Sequence, residues 1–404
     1  MSTGKLRVSW GKNGNRQLAD PYLALANLAS GTGGTMGYYT GSDYVDMKYL
    51  SVDRLANANL KWEKTSSWNF GLDFGFLNDR ISGSLETYFM KTNDMIMSQR
   101  LPGFCGFGEV TTNLGEVQNN GFEFSLNTVN ISNSDFEWRT TFGFAYNKNQ
   151  IKHLYYEYED VLDENGNVVG RKEQDDTSNK WFIGKPIGEI WDYKVTGIWQ
   201  TDEVEEAAKV GQKPGDPKVE NYYTADDKIN ADGSRTPVYN DNDKQFLGTT
   251  NAPVRWSLRN EFTILKNIDF SFNLYSYMGH KSLEGYYLNN DNGGSLMTYG
   301  FNTSKKDYWT PENQNASSPR LIWTDPNRNA RSESDRYLES GSYFRLRNLQ
   351  VGYTLPTVWF HGFVQKARVY VNAENLFTIS SYSGYTPDVN SSDVYSRGFD
   401  EFIY

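Results

Sequence analysis

Residues Trp68–Phe76 read WNFGLDFGF. Trp68, Phe70, Leu72, Phe74 and Phe76 fall on one side of an extended chain, and Asn69, Gly71, Asp73 and Gly75 on the other. Unbroken period two specifies a strand with one apolar face, because side chains alternate across a pleated backbone. Phe136–Tyr146 repeats the pattern, with Phe136, Trp138, Thr140, Phe142, Phe144 and Tyr146 on one side. So do Val254, Trp256, Leu258 and Phe262, set against Arg255, Ser257, Arg259 and Glu261. Ile268, Phe270, Phe272 and Leu274 alternate with Asp269, Ser271 and Asn273. Soluble strands run to about 5–6 residues. These runs are of about the 9–11 residues that a tilted strand needs to cross a bilayer.

Composition points the same way. Hydrophobic residues make up 38% of the 404, yet aromatic rings alone make up 15%. The longest uninterrupted apolar run is Tyr22–Ala26, far too short for a membrane-spanning helix. A barrel escapes that limit, since its strands place an apolar residue only at every second position. Trp68 and Tyr146 sit at the ends of their apolar faces, where an interfacial girdle would lie.

The connections are of two kinds. Asn78-Asp79, Asn133-Ser134-Asp135 and Lys266-Asn267 are short polar turns. Ile151–Gly188, Asp202–Ala252 and Gly279–Gly341 are long polar stretches. Short turns at one end and long loops at the other are the outer-membrane barrel arrangement. The expected strands are Leu6–Trp10, Tyr22–Leu28, Ser66–Leu77, Arg80–Met97, Gly121–Ile131, Phe136–Ile151, Ile190–Gln200, Val254–Leu265, Ile268–Tyr277, Tyr343–Leu355 and Ala367–Thr378, about eleven. In Tyr343–Leu355 the apolar phase passes from Phe344 and Leu346 to Leu349, Val351, Tyr353 and Leu355, which predicts a bulge near Arg347-Asn348. Thr201–Val210 is the one helix candidate, with Thr201 as its cap. The fold class is therefore all-β: an antiparallel transmembrane β-barrel.

Other classes find little support. A formal net charge of −10 without a basic block argues against nucleic acid as a partner. The lone Cys105 excludes an internal disulfide, and His153, His280 and His361 lack metal-site spacing. No GxSxG, Walker A or helix-opening GxGxxG is present, so neither an enzyme nor a cofactor is indicated. Asp163–Asn167 (DENGN) and Asp241–Asp243 (DND) carry oxygen ligands but miss the Ca²⁺-loop pattern, and read as Asx-rich turns.

Several phrases resemble one family. They are LRVSWGKNG (Leu6–Gly14), NLKWEKTSSWNFGLDFGF (Asn59–Phe76), RISGSLETYFMKTND (Arg80–Asp94) and NLGEVQNNGFEFSLN (Asn113–Asn127), then WTPENQNA (Trp309–Ala316), SYFRLRNLQVGYTLP (Ser342–Pro356) and ARVYVNAENLFT (Ala367–Thr378). In this order they resemble the C-terminal barrel half of SusC/RagA-like TonB-dependent outer-membrane transporters. The resemblance implies that residues 1–404 are the C-terminal part of such a barrel, with the plug absent. It further implies contact with outer-membrane lipid, coupling to the TonB complex through that plug, and a SusD-like lipoprotein as lid. Glycan oligomers or peptides would be the substrate. As a part of a larger barrel, the chain is expected to leave Leu6–Trp10 and Val369–Val371 as two open edges that do not pair with each other.

Within the third long loop, Tyr286, Tyr287, Tyr299, Trp309 and Trp323 lie near Asn289 and Asp291. Flat rings with amides and carboxylates around them make a candidate substrate platform, the alternative being that the rings pack the loop itself. Two rival classes share some of these features: a surface glycan-binding β-protein without transport activity, and a passive porin. Long strands with an apolar outer face separate the barrel from the first.

Overall fold

The computed structural model describes residues 2–15, 22–41, 43–101, 104, 106–163, 166–283, 307–321, 334–361, 363–384 and 386–387. Nine long strands form one antiparallel sheet, each paired with the next. They are β1 (Thr3–Gly14), β2 (Lys64–Phe76), β3 (Ile81–Asn93), β4 (Glu116–Ser132), β5 (Phe136–His153), β6 (Val254–Ile264), β7 (Ile268–Met278), β8 (Tyr343–Leu355) and β9 (Ala367–Ser380). The strands are long because alternation persists on both sides of each ladder. Leu6 faces Leu72, Val8 faces Phe70 and Trp10 faces Trp68, and Leu72 then faces Leu85 and Phe124 follows in the same row. Every apolar residue of Trp68–Phe76 therefore joins one face, with Asn69 and Asp73 on the other, as the sequence predicts.

The two faces differ in shape. A single volume of about 1260 Å³ is bordered by Glu86, Glu123, Ser125, Gly143, Arg255, Tyr275 and Arg345, so the polar face is concave. The convex face carries rings in contact across the ladders, among them Trp10 with Trp68, Phe124 with Phe142, and Trp138 with Phe262. The amide of Asn260 falls in the apolar row beside Thr140 and is buried. Its Oδ1 accepts from Trp138 Nε1 (2.8 Å) and Thr140 Oγ1 (2.7 Å), so the amide oxygen is satisfied without water. On the concave side the ring of Tyr88 lies over Gly121, where a β-carbon would overlap it, and its hydroxyl donates to Asn147 Oδ1 at 3.0 Å.

Connections divide by end. The β2–β3, β4–β5, β6–β7 and β8–β9 connections, of 3 to 11 residues, leave the strands at one end, and the four longer connections leave them at the other. The first turn is tight enough to hold Leu77, Asn78 and Asp79 at positive φ. The predicted bulge is present: Asn273 pairs with Asn348 and Leu274 with Leu346, which leaves Arg347 as the extra residue. Among the described residues, β1 and β9 are the two edges of the sheet and do not pair with each other.

Three expectations change. Residues 22–25 form a turn, and the apolar run there leads into a separate hairpin, Asn27–Tyr39 with Tyr44–Arg54. Residues 190–200 are not a barrel strand. They split into Glu189–Asp192, paired with Gln245–Thr249, and Val195–Ile198, paired with Pro217–Val219. Alternation there serves a small loop core instead, with Trp191 and Trp199 buried. The longest connection between neighbouring strands of the sheet is consequently 154–253. The helix candidate forms as a turn of 3₁₀ helix, Thr201–Glu203, followed by Val204–Lys209. Its cap is Gln200, whose backbone N–H donates to Glu203 Oε2 at 3.0 Å, while Thr201 Oγ1 donates to Gln314.

Candidate functional site

Two places could engage a ligand: the concave wall and the long-loop end. On the wall, rows of facing residues run across the strands. Glu123 faces Ala145, then Arg255, Tyr277 and Tyr343. The next row towards the turns runs Ser125, Gly143, Ser257, Tyr275, Arg345 and Thr378. Small side chains thus floor the middle of the wall, with charge on either flank.

Charges nearer the turns and the β1 edge are paired. Arg7 reaches both Asp73 (2.7 Å) and Glu86 (2.7 Å), Arg259 reaches Glu261 (2.7 Å), Arg139 reaches Glu137, and Arg368 Nε donates to Asp269 Oδ1 at 2.9 Å. Towards the loops the arginines instead stack on rings. The guanidinium carbon of Arg255 lies 4.9 Å from the centre of Tyr277, that of Arg345 lies 5.6 Å from Tyr343, and that of Arg347 lies 5.7 Å from Tyr275. Arg345 is buried and donates to Thr378 Oγ1 (2.7 Å) and Thr386 Oγ1 (2.6 Å). Burial, and then the positive charge of Arg255, hold His280 below the usual imidazole range, so it is neutral at pH 7. Sequence reasoning placed Arg255 and Arg259 on the polar face but did not single out this cluster. The available signal was Arg345-x-Arg347 beside Tyr275-x-Tyr277, two period-two pairs whose strands turn out to be neighbours.

At the loop end, Tyr286, Tyr287, Asn289, Asp291, Tyr299 and Trp323 lie outside the described residues. Trp309 is described and is 5% exposed. Its Nε1 donates to Gln200 Oε1 at 3.1 Å, and its ring packs against Gly215, where φ is +92° and a β-carbon would meet both Trp309 and Arg320. Arg320 pairs in turn with the fully buried Asp216 (2.6 Å). Trp309 therefore joins residues 195–220 to 307–320 as a packed module, and its ring face is not open to a ligand. The acidic clusters are turns: Asp163 accepts from the Asn167 backbone N–H (2.8 Å), and buried Asp243 accepts from Tyr223 (3.0 Å) and Asn240 (3.0 Å). No group of three or more metal-ligating side chains occurs among the described residues. Cys105 lies outside them.

Residues 3–243 match the family model described as "TonB dependent receptor-like, beta-barrel". Among curated proteins, TonB-dependent receptor P3 of Formosa agariphila is 29% identical over 96% of this chain and 36% of its own length. TonB-dependent receptor SusC of Bacteroides thetaiotaomicron is 28% identical over 97% of this chain and 36% of its own length. Among solved structures, that of the RagAB peptide transporter superposes with a TM-score of 0.69 and 26% identity, covering 95% of this chain and 38% of that one. The chain thus spans little more than a third of the relatives it matches, and these relatives are receptors and transporters, not enzymes.

Proposed function

The chain belongs to the TonB dependent receptor-like β-barrel family of the outer membrane, and from that premise we propose that residues 1–404 are the C-terminal part of the barrel of a SusC/RagA-type transporter. The transporter takes up glycan oligomers or peptides, draws energy from the TonB complex and works with a SusD-like lipoprotein over its long loops. One observation carries the reading: a nine-stranded arc with rings on its convex face, a polar concave wall, short turns at one end and long loops at the other. A soluble glycan-binding β-protein would bury those rings between layers, because exposed apolar surface of that extent costs free energy in water. In lipid the same surface is at rest, and closed ladders are the only strand arrangement that satisfies every backbone group there.

The test uses the intact transporter in outer membranes. Uptake of fluorescent oligosaccharides and peptides should saturate and should vanish when TonB is deleted. Uptake indifferent to TonB would favour a passive pore, and surface retention without uptake would favour the glycan-binding rival. The lid and platform are tested separately: deleting residues 289–301 should weaken ligand or lipoprotein capture and leave assembly intact.

A further inference from the structure

We propose that the loop-side end of the concave wall is an anion site, built from Arg255 and Arg347 on a tyrosine cluster, that takes carboxylate groups of an oligomeric ligand. The proposal rests on the transport reading only in making that ligand the substrate.

Tyr275, Tyr277 and Tyr343 are in mutual contact, with ring centres 5.7 to 5.9 Å apart. Each ring carries one guanidinium. Stacking occupies the flat face of a guanidinium and leaves its N–H edge available, and that edge matches a carboxylate bidentately. The rings pre-position the charged groups, which lowers the entropy lost when an anion docks. Because the rings are engaged with each other and with the arginines, they are poorly placed to stack on a sugar; recognition here falls to charge.

The contrast with the rest of the wall is what singles the cluster out. Arg7, Arg139, Arg259 and Arg368 all have carboxylate partners. Among the described residues no carboxylate lies within ion-pairing distance of Arg255 or Arg347, and both are exposed. Along the row of Arg255 the next acid is Glu123, two strands away beyond Ala145. In a chain of net charge −10, β6 and the bulge of β8, on either side of β7, present two cations that no carboxylate among the described residues neutralises. Arg347 reaches this position because the bulge turns an extra residue out of the ladder. Lys281 and Arg345 border the same volume, of about 1260 Å³, which is roomy enough for several residues of an oligomer.

The experiment is equilibrium binding to the purified intact transporter with its lipoprotein, which requires no TonB. The probes are tetragalacturonate and tetraglutamate, each against its neutral counterpart, maltotetraose and tetraglutamine. At least one carboxylated probe should bind about tenfold or more tighter than its counterpart, the worth of one charged hydrogen-bonded contact. Which of the two does so tells an acidic glycan from an acidic peptide. The double variant Arg255→Gln/Arg347→Gln should bring that probe down to the neutral level, and Arg255→Lys/Arg347→Lys should fall between, since charge remains but the fork is lost. Carboxylated probes that bind no tighter than neutral ones would overturn the proposal. So would glutamine variants that lose heat resistance yet keep probe binding, which would assign the arginines to another segment of the polypeptide. Binding without TonB-dependent uptake would fail the transport reading and leave the site standing.

Discussion

The sheet and the loop module treat the same residue types in opposite ways. On the sheet, Leu6, Trp10, Phe70, Phe89 and Val371 are exposed, while in the loops Phe182, Trp191, Trp199 and Trp309 are buried. A second small core, Met97, Val117, Ile151 and Leu154, sits where β4 and β5 meet the loops. Rings go inward where the surroundings are water, and their outward placement on the sheet fits the lipid contact proposed for it, because burial is favourable only relative to the alternative solvent. The comparison also separates two kinds of polar group. Asn260 on the convex face is closed off by Trp138 and Thr140, whereas the loops hold carboxylates of both kinds, Asp216 and Asp243 buried and Asp226 exposed to water.

The most drastic way to break this comparison is to take the sheet as it stands. Among the described residues, β1 and β9 each have one flank without a strand partner, backbone that lipid cannot satisfy and that invites edge-to-edge association. The 404-residue chain expressed alone should give no heat-modifiable species in detergent electrophoresis. A compact band that shifts on boiling would mean a closed barrel.

The next test exchanges solvents. In the intact protein Trp309→Ala should loosen the loop module by about 3–5 kcal/mol, read as lost amide protection in residues 195–220, with the barrel's urea midpoint unmoved. Leu72→Arg should do the reverse and lower the stability of the barrel in vesicles by about 2–4 kcal/mol if Leu72 is at the bilayer midplane. An unchanged midpoint for Leu72→Arg would deny that the convex face meets lipid.

Asn260→Leu is a finer probe. It leaves Trp138 Nε1 without its acceptor in an apolar setting, at a cost of about 1–3 kcal/mol. Stability equal to or above that of the natural protein would show the amide to be replaceable by packing alone.

The smallest effect concerns pH. Lys218 and the Gln200 backbone hold Glu203 below the usual carboxylate range, and Asn240 and Asn242 do the same to Asp226. A carboxylate whose folded value is lowered binds fewer protons folded than unfolded. Its contribution is present above the ordinary carboxylate value and is lost as pH falls through the lowered one. Protection of the loop module should therefore fall as pH drops below the ordinary carboxylate range, while the sheet, held by its ladders, persists. Equal loss in both regions would contradict the separation.

How far each region was legible in the sequence follows from the range of the signal. Trp68–Phe76 and Ile268–Met278 could be read because period two is local, and even the bulge at Arg347 appears as a change of phase. Residues 190–200 misled for the same reason: alternation reports a two-sided environment without saying whether the second side is lipid or a loop core. Gln200 took the cap from Thr201 because the tertiary contact with Gln314 claimed the threonine hydroxyl.

The sequence by itself determined which residues share a face, where the short turns lie and that the chain is a barrel strand set, since these depend on neighbours in the chain. Only the tertiary structure decided what meets across strands. Trp309 became a buried strut rather than a platform because Gln200 and Gly215, about a hundred residues away, close on it. Arg255, Arg345 and Arg347 became one cluster because β6, β7 and β8 pair in a register that sets three tyrosines beneath them. Such registers join residues distant along the chain, and their energies are sums over contacts that no local pattern encodes.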